Sequence, residues 1–282
     1  MTAKPRLSLD HITVTDTTPA QLAQLAAATG CSGICPFLHS MAVLPAMPEY
    51  DLVRDAAARR ATRAVLADTG VTVDLIYPFT MAGRTVVADF APALEAGADL
   101  GAPLANVLCY DRDPARRTEK LAELADLAAS FGIGLAIEFY PPAQVRTLAD
   151  ALAEIDRAGR ANIGVTADLL HIVRGGEWDQ SLPLLSDPRV RIGQIADGPA
   201  EMPADQIEWE AGIQRLVPGK GAFDIAAFLA ALNPGVPVSV EVPQQSALEA
   251  GVPSLERARA AVDATLACLG DRESISASDR AR

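Results

Sequence analysis

The chain has 282 residues, of which 50% are hydrophobic and 5% aromatic, enough for one large α/β barrel or two smaller domains with a sizeable core. Its formal net charge of −12 opposes binding to phosphate backbones or anionic membrane surfaces and favours a small polar substrate. The opening MTAKPRLSLDHITV lacks an apolar stretch with a small-residue cleavage site, and no apolar run approaches a bilayer span, so a cytoplasmic location is expected. Cys31, Cys35, Cys109 and Cys268 have no second Cys/His pair to complete a zinc knuckle and read as buried thiols.

In chain order, Leu7 to Val14 is a short apolar run, followed by a helix that Pro19 starts and Gly30 closes. Cys31 to Phe37 is a strand candidate, and Pro48 to Asp68 is Ala/Arg-rich at helical spacing, ended by Gly70. Val71 to Pro78 predicts a strand and Val86 to Leu100 its helix; Ala105 to Tyr110 predicts the next strand, with a helix from Pro114 to Ser130. The rhythm continues with strands at Ile133 to Tyr140, Ile163 to Asp168, Val190 to Ile195 and Val238 to Val242. Helices are expected at Leu148 to Ala158, weakly at Leu182 to Leu185, at Ile225 to Leu232 and at Ser254 to Leu269, before a polar tail over 271–282. Eight strand–helix alternations without a linker predict a single-domain (β/α)₈ TIM barrel over residues 1–270 rather than an open doubly wound sheet.

Four of these apolar runs end at oxygen-bearing side chains: GIGLAIE at Glu138, NIGVTAD at Asp168, VRIGQ at Gln194 and PVSVE at Glu241. In a parallel barrel such residues share one rim, where a hard divalent cation finds oxygen ligands. Asp168 alone reads equally well as a helix cap, but the FYPP after Glu138 and the VPQQ after Glu241 are not helix starts. Three carboxylates and an amide suit Mg²⁺ or Mn²⁺ better than Zn²⁺ or Co²⁺. His171 and Arg174 follow Asp168 closely and are expected substrate contacts, whereas His11 and His39 read as satisfied core or surface groups. The loop Arg215-Leu-Val-Pro-Gly-Lys-Gly offers Arg215 and Lys220 as donors to substrate oxygens, with Gly219 and Gly221 allowing close backbone approach. As an ordinary surface loop it would instead lead only to a helix capped by Asp224.

The order Glu138, Asp168-x-x-His171, Gln194-Ile-Ala-Asp197, Arg215-x-x-Pro-Gly-x-Gly, Glu241 resembles the xylose isomerase-like TIM-barrel superfamily. That group includes sugar isomerases and epimerases, inosose dehydratases and isomerases, and apurinic-site endonucleases. The resemblance implies a divalent metal held by Glu138, Asp168, Gln194 and Glu241, and sugar contacts from His171 and Arg215. Gln194 departs from it, since epimerases most often carry histidine there; an amide oxygen is a weaker ligand.

The chemistry implied is proton abstraction next to a carbonyl that the metal polarises, with Glu138 and Glu241 removing and returning the proton. The enediolate formed can be reprotonated, as in an isomerase or epimerase, or can expel a β-hydroxyl, as in a dehydratase. The expected activity is a metal-dependent isomerase or epimerase of a keto-sugar, cyclitol or related polyol. The alternatives are a lyase acting on an inosose or a dehydroshikimate-like ring, and a sugar-binding barrel without turnover. Three histidines and the acidic balance argue against a DNA-repair endonuclease. Such barrels often form homo-oligomers, but no interface patch is legible.

Overall fold

The structure, a computed structural model, describes residues 6–279, with side chains in the last helix only to residue 269. Its strands are β1 (Leu7–Asp10), β2 (Gly33–Cys35), β3 (Thr72–Val73), β4 (Ile76–Met81), β5 (Leu104–Cys109), β6 (Gly134–Glu138), β7 (Ile163–Asp168), β8 (Val190–Ile195) and β9 (Val238–Val240). All neighbouring pairs are parallel, in the order β3-β2-β1-β9-β8-β7-β6-β5-β4. β3 and β4 are two halves of one stave, interrupted at Asp74 and Leu75. The stave reaches back to β2 through a Phe37–Tyr77 bridge, with Leu38 N donating to Tyr77 O at 2.8 Å. Nine segments therefore make eight staves and a closed cylinder, a (β/α)₈ TIM barrel in one domain.

The helices are α1 (Pro19–Thr29), α2 (Ala56–Thr69), α3 (Ala91–Asp99), α4 (Pro114–Ser130), α5 (Leu148–Ala158), α6 (Leu169–Arg174), α7 (Trp178–Ser181), α8 (Ile207–Gly212), α9 (Ile225–Ala231), α10 (Gln245–Glu249) and α11 (Ser254–Asp279). Local chemistry sets the best-defined ends. Asp113 caps α4 by accepting from Arg116 N, with Pro114 at its first position. Thr147 and Asp150 form a reciprocal capping box at α5, and Gly159 closes that helix at φ 63°, a conformation that suits glycine. α2 starts at Ala56 rather than Pro48, because Asp55 caps there and the preceding residues belong to a rim loop pinned by a His39–Asp51 bridge. The helix expected over 86–100 is split into a 3₁₀ turn, Val87–Phe90, and α3. α11 runs past Leu269; the backbone of the expected polar tail continues it to Asp279, and the remainder lies outside the described residues. No helix among the described residues is long and apolar enough to cross a membrane.

The main core fills the space between the staves and their helices, with Leu9, Val107, Leu135, Val165 and Val240 from the sheet fully buried against it. A second cluster, Cys35, Leu75, Tyr77, Ala136 and Ile192, plugs the lumen. Side chains two apart on a strand share a face. The positions two residues beyond Ala136 and Ile192 are Glu138 and Gln194, so the apolar plug continues upward into a polar layer at the carboxyl rim. Thr166 with Asp168, and Ser239 with Glu241, extend that layer, all six of these polar residues being buried. Cys31, Cys35 and Cys109 are buried and Cys268 is partly so.

Candidate active site

Strand register brings the four predicted oxygen-bearing residues onto adjacent staves. Glu138 pairs with Thr166, Asp168 with Gln194, and Gln194 with Ser239, two residues before Glu241. Asp168 also caps α6, its Oδ1 accepting from Leu170 N at 2.7 Å. The cap and the rim position are thus one residue, and α6 carries His171 back over the lumen. His171 Nε2 lies 3.2 Å from Glu138 Oε1 and 3.4 Å from Asp168 Oδ2. One ligand-type atom from each of Glu138, Asp168 and His171 lies within 4.8 Å of the others. The Tyr140 ring packs on His171 with centroids 4.8 Å apart.

Arg215 reaches the same centre from the loop after β8. Its Nη1 donates to Asp168 Oδ2 at 3.0 Å and to Glu241 Oε2 at 2.9 Å, while Nε and Nη2 donate to Ala211 O. The guanidinium, 3% exposed, is therefore the counter-charge of two buried carboxylates. Burial opposes the charged form of Asp168, but Arg215, His171 and hydrogen bonds with Glu241 and the Leu170 backbone hold this carboxyl below its usual range. For Glu241, burial wins over Arg215, with Asp10, Asp168 and Glu138 adding repulsion, and its pKa is pushed well above the usual range. The two acids thus differ in protonation tendency, the arrangement that separates proton donors from acceptors in one site.

The lumen beneath supplies residues that the strand-end pattern did not single out. Asn106 Nδ2 donates to Glu138 Oε2, and Thr166 Oγ1 donates to Asn106 Oδ1 at 2.7 Å. Tyr77 and Ser239 donate to Asp10 Oδ2 at 2.9 and 3.1 Å. Burial pushes Asp10 up to about 7, against hydrogen bonds from Ile12, Tyr77 and Ser239. In the structure Asp10 closes its strand as Glu138 and Asp168 close theirs, because His11–Val14, part of the apolar run in the sequence, is a 3₁₀ turn that Asp10 caps.

Two expected substrate contacts stand elsewhere. Arg174 is held by Glu210 through Nε at 2.5 Å and Nη2 at 2.7 Å, donates to Pro199 O, and lies 5.1 Å over the Phe223 ring. These bonds tie α6 to α8 and the loop after β8. Lys220 is exposed. The close approach at Gly221 is to the protein itself: a Cβ there would lie 2.2 Å from Gly198 O and 2.3 Å from Asp197 Oδ1. Asp197 accepts from the backbone N–H groups of Gly198, Gly221 and Phe223 and so folds this loop back on the barrel.

Among the described residues, Glu138, Asp168 and His171 offer ligand atoms close enough to share a divalent cation, while Glu241 falls outside that group and is engaged by Arg215. The side-chain oxygen of Gln194, Oε1, is buried with no hydrogen-bond partner, and an unsatisfied buried polar atom is costly unless something else uses it. The carboxylates there already require a positive partner, which Arg215 in part provides.

The xylose isomerase-like TIM barrel model matches residues 3–268. A 3-dehydroshikimate dehydratase of Pseudomonas aeruginosa is 29% identical over 236 residues, 79% of this chain and 35% of that protein. An inosose isomerase of Bacillus velezensis is 32% identical over 117 residues, 41% of this chain and 40% of that protein. These matches therefore span well under half the length of either relative. Among solved structures, a xylose isomerase-like TIM barrel/4-hydroxyphenylpyruvate dioxygenase fusion protein aligns with TM-score 0.80 at 21% identity, over 99% of this chain and 45% of that one. The zinc-bound IolI protein aligns with TM-score 0.75 at 20% identity, over 95% and 99% of the two chains. At these identities the structural matches speak for the fold, and the family match extends over nearly the whole chain. The protein belongs to the xylose isomerase-like TIM-barrel family.

Proposed function

We propose that this protein is a divalent-metal-dependent lyase that removes water from a cyclic β-hydroxy ketone of the dehydroshikimate kind. The observation that carries the metal site is Gln194, fully buried beside Asp168 with its amide oxygen unpartnered. The choice of dehydration over isomerisation rests on the relative named as a dehydratase, whose match extends over 79% of the chain, against 41% for the inosose isomerase. Isomerisation or epimerisation of a cyclitol or keto-sugar is the second reading, favoured by the higher identity of that shorter match.

Glu138, Asp168, Gln194 and Glu241 would hold the cation, which supplies a Lewis acid that polarises the substrate carbonyl and acidifies the neighbouring C–H. Glu241, buried at the rim beside Arg215, would take up that proton. His171, lying between Glu138 and Asp168, is the side chain placed to donate to the departing hydroxyl. Asn106 fixes Glu138 from below, and the apolar lumen plug excludes water from the floor.

Incubating the protein and Mn²⁺ with 3-dehydroshikimate tests this reading. Dehydration gives a new ultraviolet absorbance and a product lighter by one water. Deuterium uptake from solvent into an inosose, with no loss of water from either compound, would select the second reading. Binding without exchange or water loss would leave a non-catalytic barrel. A further expectation separates the role of His171 from that of a ligand: His171→Ala weakens substrate binding while Mn²⁺ affinity, read by calorimetry, changes little. Equal loss of both would make His171 a ligand.

A further inference from the structure

We infer that Tyr77 and Asp10 are positioning residues that fix which end of the Gln194 amide faces the cation site; this rests on the metal reading above. A glutamine amide has a donor end and an acceptor end of nearly equal shape, and only the oxygen can ligate a cation. Something must therefore decide its orientation, as a partner on the second nitrogen decides the tautomer of a histidine ligand.

The lumen contains such a device. Asp10 is 1% exposed and accepts three hydrogen bonds, from Ile12 N at 3.2 Å, Tyr77 Oη at 2.9 Å and Ser239 Oγ at 3.1 Å. The hydroxyl proton of Tyr77 is thereby committed to Asp10, so the Tyr77 oxygen can only accept. The group facing it is Gln194 Nε2, at 2.8 Å. The amide nitrogen points to the phenol and Oε1 points away, unpartnered. Three staves cooperate: β1 contributes the anchor, β4 the relay and β8 the amide. The chain runs from Asp10 through Tyr77 to Gln194 with each proton direction set by the one before it.

A carboxylate has two equivalent oxygens, so a glutamate at position 194 needs no orientation. Calorimetric titration with Mn²⁺ across wild type, Tyr77→Phe, Gln194→Glu and the double variant then isolates the orienting role. Tyr77→Phe is expected to weaken Mn²⁺ binding by about 10–100-fold, the usual cost of losing a partner of a metal ligand. In the Gln194→Glu background the same change is expected to cost far less, because either carboxylate oxygen can face the cation; the difference between the two backgrounds is the coupling that a double-mutant cycle reads. Circular dichroism and melting of each variant establish that the barrel is intact. Asp10→Asn provides a second route, because its amide can donate to the Tyr77 oxygen and release the phenol proton toward Gln194 Oε1; it is expected to weaken Mn²⁺ binding as Tyr77→Phe does. Unchanged Mn²⁺ affinity in folded Tyr77→Phe or Asp10→Asn overturns the inference alone. So does an equal loss in both position-194 backgrounds, which would mark Tyr77 as structural. Failure of the wild type to bind Mn²⁺ at all would instead overturn the metal reading, and this inference with it.

Discussion

Glu241→Gln is expected to lower turnover by about 10²–10⁴-fold, the range for losing a positioned base, while the barrel stays folded. The substitution is nearly isosteric, and the new amide oxygen can still accept from Arg215 Nη1, now 2.9 Å from Glu241 Oε2. What disappears is basicity. Solvent deuterium exchange at the carbon next to the carbonyl reads the proton-transfer step directly, apart from water loss. Wild-type exchange in Glu241→Gln would remove Glu241 as the base and leave Glu138 or His171 in that role.

Arg215→Met should be the most damaging change to stability in cation-free protein, by about 3–5 kcal/mol, because it strands buried carboxylates without their counter-charge. Asp168 and Glu241, 0% and 6% exposed, both lose their hydrogen-bonded cation. Methionine keeps the apolar stem but not the guanidinium, so the loss reflects mainly charge and hydrogen bonding. Mn²⁺ should recover a large part of it, since a second positive centre can serve the same oxygens. Urea unfolding with and without Mn²⁺ measures both quantities. A loss under about 1 kcal/mol, well below the cost of an unpaired buried charge, would show that Arg215 is not the internal counter-ion. An undiminished loss in Mn²⁺ would separate these carboxylates from any cation site.

The sequence was most legible where local chemistry acts alone. The helices Pro114–Ser130 and Leu148–Ala158 and the strands Ile163–Asp168 and Val190–Ile195 have the expected bounds, because caps, glycine stops and β-branched runs are written within a few residues. The third stave was expected to stop at Pro78, yet it breaks at Asp74–Leu75 and runs to Met81. Its pairing to β2 and β5 governs it, and pairing is non-local. The short helix α6 was missed because its six residues carry too little periodicity to register.

At the rim, the four strand-end oxygens were visible as a pattern, because the parallel topology makes chain position equivalent to height in the barrel. Orientation and partner choice were not visible. Asn106 within LANVLC and Tyr77 within LIYPF give no hint from composition that they face the lumen. Nor does Arg174 indicate that Glu210, 36 residues away, will take its guanidinium. Likewise Arg215 was readable as a cation near the site, but not as the group joining Asp168 to Glu241.

Anomalous scattering from crystals grown with Mn²⁺ measures directly whether side chains from four neighbouring staves grip one cation. The predicted result is a peak within coordinating reach of Glu138, Asp168, Glu241 and the Gln194 amide oxygen. A peak elsewhere, or one at the rim from which Gln194 and Glu241 turn away, would contradict it.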